Sequence, residues 1–592
     1  MTGEKRRTIS TQSWLILIAV LVGVGSGLAS VGFFRLIQFF TRLGTLVAPA
    51  GWGQYSLYGA IGGLAVGPMV YFGAREAKGH GVPEVMYAVA MKGGRIRPRV
   101  VVVKALASAI TIGTGGSAGR EGPIVQIGAA LGSTFGQLLR LSEDRVKTFV
   151  ACGAAAGIAA TFNAPIAGVF FALEIILGQF AAGTFSLLVI SSVTASVVSR
   201  WLLGNHPAFV APLYELSHPA ELLLYVGLGV ATALTAQVYT RVLYAVEDFF
   251  DAWRRLPEWT KPAVGGLLFG ALGALFPQSL GRGEDVMSRV LAGGVPEVQG
   301  LLPFLAPALL LAALGLVKLL STSFTIGSGG SGGIFFPGLY IGAMIGGAYG
   351  WLVHTLYPWT AGPGAYALVG MAALFAGMTQ APITGIIILF EMTQDYRIIL
   401  PLMLSTVVAT LLASLMSRET IYTLKLTRLG IRLRQGQVVS VMRSIQVAEA
   451  MTSPVQTVTP EMTLGEVINL MQATRHNGYP VVEEGSRLVG VIALQDIRDT
   501  ELEGRLQRRV GEVMTPNPVV TTPGETLDVA LERMSGRDVG RLPVVAEGSE
   551  HRLVGLLTRS DLLKVYQRRL VTLQDDLAPA ASPAGQTGRG TR

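Results

Sequence analysis

The chain has 592 residues, of which 50% are hydrophobic and only 14% charged. That is too apolar for one soluble globule and too long for one domain, so a membrane portion is required. The formal net charge of +9 would suit nucleic acid, but no basic stripe with interleaved aromatics occurs, and the basic residues mostly flank apolar stretches, as in bilayer anchoring.

Lys5, Arg6 and Arg7 precede the first long apolar segment, so the positive-inside rule makes residues 1–12 a cytoplasmic segment. No small-residue cleavage site follows, which argues against a removed signal peptide. Apolar segments then fall near 13–39, 55–73, 100–112, 124–140, 146–160, 164–177, 183–203, 222–248, 262–276, 302–320, 338–357, 366–377, 382–393 and 399–416. Many are shorter than the roughly 20 residues that cross a hydrocarbon core. Short, Gly-interrupted segments predict broken or re-entrant helices, whose ends must line a cavity because lipid cannot satisfy free backbone groups. The single cysteine, Cys152, cannot form an intramolecular disulfide, which fits a reducing compartment for the soluble part.

Two pairs of motifs repeat in order. Gly113-Thr-Gly-Gly-Ser-Ala-Gly-Arg-Glu-Gly-Pro123 returns as Gly327-Ser-Gly-Gly-Ser-Gly-Gly-Ile-Phe-Phe-Pro337 at an offset of 214. Asn163-Ala-Pro-Ile-Ala-Gly-Val-Phe-Phe-Ala-Leu-Glu174 returns as Gln380-Ala-Pro-Ile-Thr-Gly-Ile-Ile-Ile-Leu-Phe-Glu391 at 217. A duplicated membrane unit with a site where its halves meet accounts for both.

Between Lys104 and Arg140 the only charged residues are Arg120 and Glu121, inside the first Gly-rich loop. Charges at membrane depth are costly and usually functional. Pro123 fits the first turn of a helix, so the N–H groups around Gly119, Arg120 and Gly122 would be left to bind a small anion at the positive end of that helix. The Glu121 carboxylate is itself an anion placed there, a tethered competitor that would occupy the site when ionised and leave it when protonated or displaced. The competing reading pairs Glu121 with Arg120 or another cation as scaffold. The second loop carries Ile334-Phe335-Phe336 at the matching positions and so lacks a carboxylate. Glu174 and Glu391, each alone in a charge-poor stretch, would serve as proton carriers or, given their matched places, accept N–H bonds from a broken helix.

After about residue 440 the composition becomes that of a soluble domain, and it repeats too. Glu449-Ala-Met451-Thr-Ser-Pro454 matches Glu512-Val-Met514-Thr-Pro516, and Tyr479-Pro480-Val-Val482 matches Leu542-Pro543-Val-Val545, both at 63. Each copy reads as a short strand, a helix, a β-branched strand, a turn, a second strand and a closing helix. The tail at 567–592, rich in Ala, Pro, Gly and Thr, is expected to be disordered.

These motifs resemble the CLC family of chloride channels and chloride/proton exchangers, through Gly79-His-Gly-Val-Pro83, Gly119-Arg-Glu-Gly-Pro123, Gly333-Ile-Phe-Phe-Pro337 and Tyr422. The resemblance covers about residues 13–425 and implies an all-α polytopic membrane domain of two inverted halves, a homodimer in the cell membrane and one chloride pore per subunit. It implies anion contacts from the N–H groups of Ile334 and Phe335, the Tyr422 hydroxyl and the first motif, with Glu121 as the external gate. At the first motif a Ser common in the family is replaced by His80, which either donates to the anion or turns away to bond elsewhere. Where exchangers often carry an inner carboxylate, this chain has Ile175, and Met86 at another such position. Ile175 cannot relay a proton, which favours a passive channel without excluding an antiporter.

Past a linker at 426–446, residues 447–503 and 504–566 resemble a tandem pair of α/β CBS domains, which implies adenine nucleotide (ATP, ADP or AMP) at Asp496, Thr558 and Asp561, or a purely structural dimerisation module. Ala493 occupies the place of Thr558 in the first copy. No P-loop, metal-ligand cluster or nucleophile triad suggests an enzyme, and no cofactor is required. The remaining alternative, from another class, is a nucleotide-sensing regulator for which the membrane part is only an anchor.

Overall fold

The computed structural model describes residues 2–47, 54–204, 212, 214–296, 306–428, 445–474, 476–483, 486–498, 500, 505–537, 539–549, 551–562 and 564–565. The predicted linker, apart from its ends, and the tail lie outside these. The chain divides into two units, 1–433 and 434–592.

Among its described residues the first unit consists of helices and the loops that join them. Among these residues seven helices are long and apolar enough to cross a membrane, spanning Ser13–Gly44, Tyr55–Gly73, Gly183–Leu203, Glu221–Ala252, Pro307–Gly327, Phe335–Leu356 and Ile399–Met416. Four apolar helices are shorter: Val82–Met91, Pro165–Leu177, Pro363–Thr379 and Pro382–Thr393. In chain order the elements used below are α1 (Thr2–Val47), α2 (Gln54–Pro68), α3 (Val82–Met91), α4 (Arg99–Gly113), α5 (Glu121–Leu138), α6 (Glu143–Phe162), α7 (Pro165–Phe171), α8 (Ala182–Leu203), α9 (Glu221–Ala252), α10 (Lys261–Leu275), α11 (Glu284–Leu291), α12 (Pro307–Gly327), α13 (Phe335–Leu356), α14 (Pro363–Thr379), α15 (Pro382–Thr393), α16 (Ile399–Met416) and α17 (Thr423–Arg428). The first helix starts at Thr2, so the basic residues predicted to precede the apolar segment are part of it.

The breaks have a local cause. Asn163 ends α6 at φ 59° and Gln380 ends α14 at φ 53°, both left-handed, and each is followed after one residue by a proline opening the next helix. A left-handed residue stops a helix, and proline at a first turn gives up an N–H that had no partner there. Side-chain volume sets the packing. A methyl group on Gly128 or on Gly153 would sit about 2 Å from the other's carbonyl, and Gly342 and Gly370 stand in the same relation at 2.5 Å. Helices α5 and α6 in one half, and α13 and α14 in the other, thus approach backbone to backbone, the means by which membrane helices gain contact when apolar burial supplies no drive.

In the second unit, helix α18 (Leu464–Thr474) leads to β1 (Gly478–Glu483) and β2 (Arg487–Ala493), followed by α19 (Leu494–Arg498). The second copy has β3 (Thr515–Pro516), α20 (Leu527–Gly536), β4 (Arg541–Val545) and β5 (Leu553–Thr558). β1 pairs antiparallel with β2, and β4 with β5, each with a register shift two to three residues before the turn, after Val481 and after Val544. The predicted opening strands differ from expectation. Val447–Ala450 and Val510–Val513 are single helical turns, and the extended residues behind them join the opposite copy: β3 adds to β2, and Thr452 bridges Leu556. The two cores are shared in the same way. Ile445, Val447 and Ala450 are buried with the second copy, and Val510 is buried with the first.

Candidate functional site

The Gly-rich loops meet. Gly119 and Gly333 exchange two backbone hydrogen bonds of 2.7 Å, one in each direction, so the segment entering α5 is bonded to the segment entering α13. Hydroxyls lace the same seam reciprocally. Ser117 Oγ lies 2.9 Å from Thr322 Oγ1, and the matched pair, Ser331 and Ser108, lies at 2.8 Å. Both loops therefore end at one place, with the N-termini of α5 and α13 beside each other.

Glu121 opens α5 and is 1% exposed. Its Oε2 fills the space above Gly119, where a Cβ would come within 2.0 Å of it, and lies 3.3 Å from the same position on Gly333. Neither carboxylate oxygen has a hydrogen bond of good geometry, although the N–H groups of Glu121 itself and of Phe336 lie within reach of it. Arg120 turns elsewhere: its Nη2 donates to the Thr161 carbonyl at 3.0 Å, and its guanidinium lies 5.1 Å from the Phe34 ring centre. No ion pair joins Arg120 to Glu121 among the described residues, so the scaffold reading of that pair does not hold.

The predicted site residues gather around this point, with one correction. Ile334 and Phe335 stand at the start of α13, where N–H groups lack intrahelical partners, and both side chains are buried. Phe335 packs between Phe162 and Phe375, with ring centres 5.2 and 4.5 Å away. Gly122 is pressed against the His80 carbonyl. His80 and Tyr422 are each 2% exposed, their ring centres 5.8 Å apart. His80 Nε2 makes a long 3.5 Å contact with the Tyr244 hydroxyl, which donates to the Ile421 carbonyl at 2.6 Å, and His80 Nδ1 is buried without a partner. Gly119 is the correction: its N–H already donates to Gly333, so it is unavailable to an anion, and its contribution is the room it leaves for Glu121. Ile175 and Met86 are buried apolar residues.

Two lysines at the predicted offset of 214 were not singled out in the sequence. Lys104, fully buried, donates to the carbonyls of Ala77 (3.0 Å) and Gly79 (2.7 Å). Lys318, equally buried, donates to those of Ser279 (3.0 Å) and Gly281 (2.6 Å). Their shared geometry reveals a third repeat at an offset of 202. Gly79-His80-Gly81-Val82 enters α3 as Gly281-Arg282-Gly283-Glu284 enters α11, and all four glycines have positive φ, from 55° to 87°. Lys425 Nζ, ion-paired with Glu84 at 2.6 Å, also borders Gly79, so the His80 loop has two ammonium groups and one carboxylate around it.

Glu174 and Glu391 work as a matched pair. Glu174 accepts from Thr384 N–H (2.8 Å), Thr384 Oγ1 (2.7 Å) and Ile383 N–H (3.3 Å) at the start of α15. Glu391 accepts from Ile166 N–H (3.0 Å) and Ala167 N–H (2.7 Å) at the start of α7.

In the second unit, Thr558 and Asp561 bond to each other: Thr558 Oγ1 donates to Asp561 Oδ2 at 2.6 Å, and Asp561 N–H returns to Thr558 Oγ1 at 3.2 Å. Asp496 accepts the Ala493 N–H at 2.8 Å. Arg541 opens β4 and presses on Gly478; burial lowers its pKa, while Asp496 opposes that shift.

The family model described as voltage gated chloride channel matches residues 62–414, and the CBS domain model matches 447–503 and 510–568. The chain is 30% identical over 636 residues to the chloride channel protein CLC-f of Arabidopsis thaliana, covering 92% of this chain and 79% of that protein. It is 32% identical over 432 residues to the H(+)/Cl(-) exchange transporter ClcA of Vibrio cholerae, covering 70% and 89%. Among solved structures, a slow cyanobacterial Cl-/H+ antiporter superposes with a TM-score of 0.62 at 26% identity, covering 70% of this chain and 97% of the other.

Proposed function

The chain belongs to the voltage gated chloride channel family, and from that premise we infer that it transports chloride across a membrane along a path governed by Glu121. The observation that carries this reading is the buried Glu121 carboxylate, without an ion pair among the described residues and lodged against Gly119 and Gly333 where the two halves are bonded together. An ionised carboxylate there competes with an anion for the donors at the starts of α5 and α13, and protonation or displacement releases them. The donors are the N–H groups of Arg120, Gly122, Ile334 and Phe335, the Tyr422 hydroxyl, and His80 through its unpartnered Nδ1. Binding by backbone dipoles without a full cation holds the ion weakly enough to let it leave.

Proton-coupled exchange is the second reading, favoured by the exchange transporter and the antiporter among the relatives. Against it stand Ile175 and the hydrogen bonds that occupy Glu174. In liposomes holding a chloride gradient, the reversal potential decides. A value fixed at the chloride equilibrium potential while the proton gradient varies means passive conduction; one that follows the proton gradient means exchange. No chloride flux in either setting would refute the function.

The same reading makes the protein a homodimer in the cell membrane, with its N-terminus and CBS pair cytoplasmic, and a transporter instead of an enzyme. The CBS pair is the place for an adenine nucleotide, with Thr558, Asp561 and Asp496 meeting ribose and phosphate. ATP binding that survives Thr558→Ala with Asp561→Ala would refute that site.

A further inference from the structure

Phe34, in the second half of α1, carries two guanidinium groups over one ring: Arg120 at 5.1 Å and Arg282 at 5.9 Å from its centre. They come from opposite halves of the repeat, Arg120 from the loop before α5 and Arg282 from the loop before α11. Both line a cavity of about 400 Å³ with Arg35 and Arg200. Glu284 is the one carboxylate among the described residues of that lining, paired with Arg282 at 2.7 Å. Arg120 Nε is buried without a hydrogen bond, whereas Arg282 Nη1 is the atom in contact with Glu284. Four cations against one anion leave an uncompensated positive charge, and like charges held on one ring repel unless an anion lies among them.

The size of the cavity selects the ligand. A water's share of liquid volume is about 30 Å³, so the space holds far more than a bare halide. Guanidinium forks match oxyanions, which they bind with two parallel hydrogen bonds. At 1.5 Å per residue, Phe34 stands about 30 Å along α1 from Ser13, which places the cavity on the membrane face opposite the N-terminus.

We propose that this cavity binds a divalent tetrahedral oxyanion of the sulfate or hydrogenphosphate class, free in solution or as a lipid phosphate headgroup, and that its occupancy slows anion access to Glu121. The inference rests on the chloride-transport reading. Arg282, Arg35 and Arg200 bind the oxyanion, and Arg120 couples it to the neighbouring gate.

The test measures chloride efflux from liposomes containing the full chain, with sulfate added at constant ionic strength. In phosphatidylcholine vesicles, sulfate slows efflux, and excess chloride relieves the block. Arg282→Gln and Arg35→Gln each raise the half-blocking sulfate concentration about tenfold, the loss of one charge-assisted bond, with sulfate-free efflux kept within about twofold. If sulfate has no effect there, but vesicles containing phosphatidic acid show slow efflux that Arg282→Gln restores, the occupant is the lipid phosphate and the site stands. Block that is identical in both variants, or efflux indifferent to sulfate and to lipid, overturns the proposal. A protein that moves no chloride would instead defeat the underlying reading. Sulfate titration calorimetry in detergent, comparing the parent with Arg282→Gln, then still decides the site: equal heats overturn it.

Discussion

Glu174 and Glu391 cap each other's half: the carboxylate of α15 takes the first N–H groups of α7, and the carboxylate that follows α7 takes those of α15. A carboxylate at a helix start contributes about 1–2 kcal/mol, so Glu391→Ala lowers stability by that amount and Glu391→Gln by about half. Thermal unfolding in detergent reads the loss. Transport keeps its pH profile in both, and a shifted profile in Glu174→Gln would make Glu174 a proton carrier after all.

Two glycines three residues apart, Gly119 and Gly122, should respond differently to the same substitution. At Gly119 a methyl group meets the far end of the Glu121 side chain, which can swing away, and Phe336 Cβ at 2.9 Å, which must give slightly, whereas at Gly122 it meets the His80 carbonyl at 2.1 Å. Gly119→Ala is expected to fold and to transport with weakened pH dependence, because the carboxylate is displaced. Gly122→Ala is expected to lose about 2 kcal/mol or more of stability from backbone strain. Flux against pH and unfolding temperature separate the two.

Glu121→Gln removes the charge and keeps the shape. Chloride flux in this variant becomes flat with pH, whereas the parent titrates. Parent-like titration would move the gate to another residue.

Lys318→Met leaves the carbonyls of Ser279 and Gly281 without a donor among the described residues, whereas in Lys104→Met the Ala77 carbonyl keeps the Ser331 hydroxyl and the Gly79 carbonyl keeps the Gly332 N–H. An unsatisfied buried group costs about 1–3 kcal/mol, so Lys318→Met is expected to lose about 2–6 kcal/mol and Lys104→Met less. Unfolding temperatures check this, and equal losses would contradict it.

Glu525 provides a pH signature outside the membrane unit. Partial burial pushes its pKa up, but Thr521, the bidentate Arg533 and the Thr522 N–H outweigh that and hold it below the ordinary value. A folded pKa below the unfolded one means stabilisation that is full above the unfolded pKa of about 4.3 and lost as pH falls through the folded value. Hydrogen exchange of α20 in the full chain should quicken on acidification through that window. Glu525→Gln should already be faster at pH 7, by about 1 kcal/mol, and lack the acid step.

The sequence made the Gly-rich loops legible because close backbone approach demands glycine at fixed spacing, and the 214 offset led to the seam itself. It hid the third repeat, since Gly79-His80-Gly81 and Gly281-Arg282-Gly283 share only two glycines and their dihedral angles. Lys104 and Lys318 passed as boundaries of charge-poor stretches, although their separation equals the loop offset. The use of Gly119's N–H was beyond pattern reading, because it depends on Gly333 being 2.7 Å away. The opening strands of the soluble copies were misread for a related reason: a strand is defined by its partner, and here the partner sits in the other copy.

That exchange makes the two soluble copies a single object for synthesis and for inheritance. A ribosome that has finished the first copy has released a sheet still missing Thr515–Pro516 and a core still missing Val510, so neither copy is complete until both have emerged. A truncation after the first copy takes Val510 from its core and Thr515–Pro516 from its sheet, and a substitution in either opening segment is felt in the sheet of its sibling.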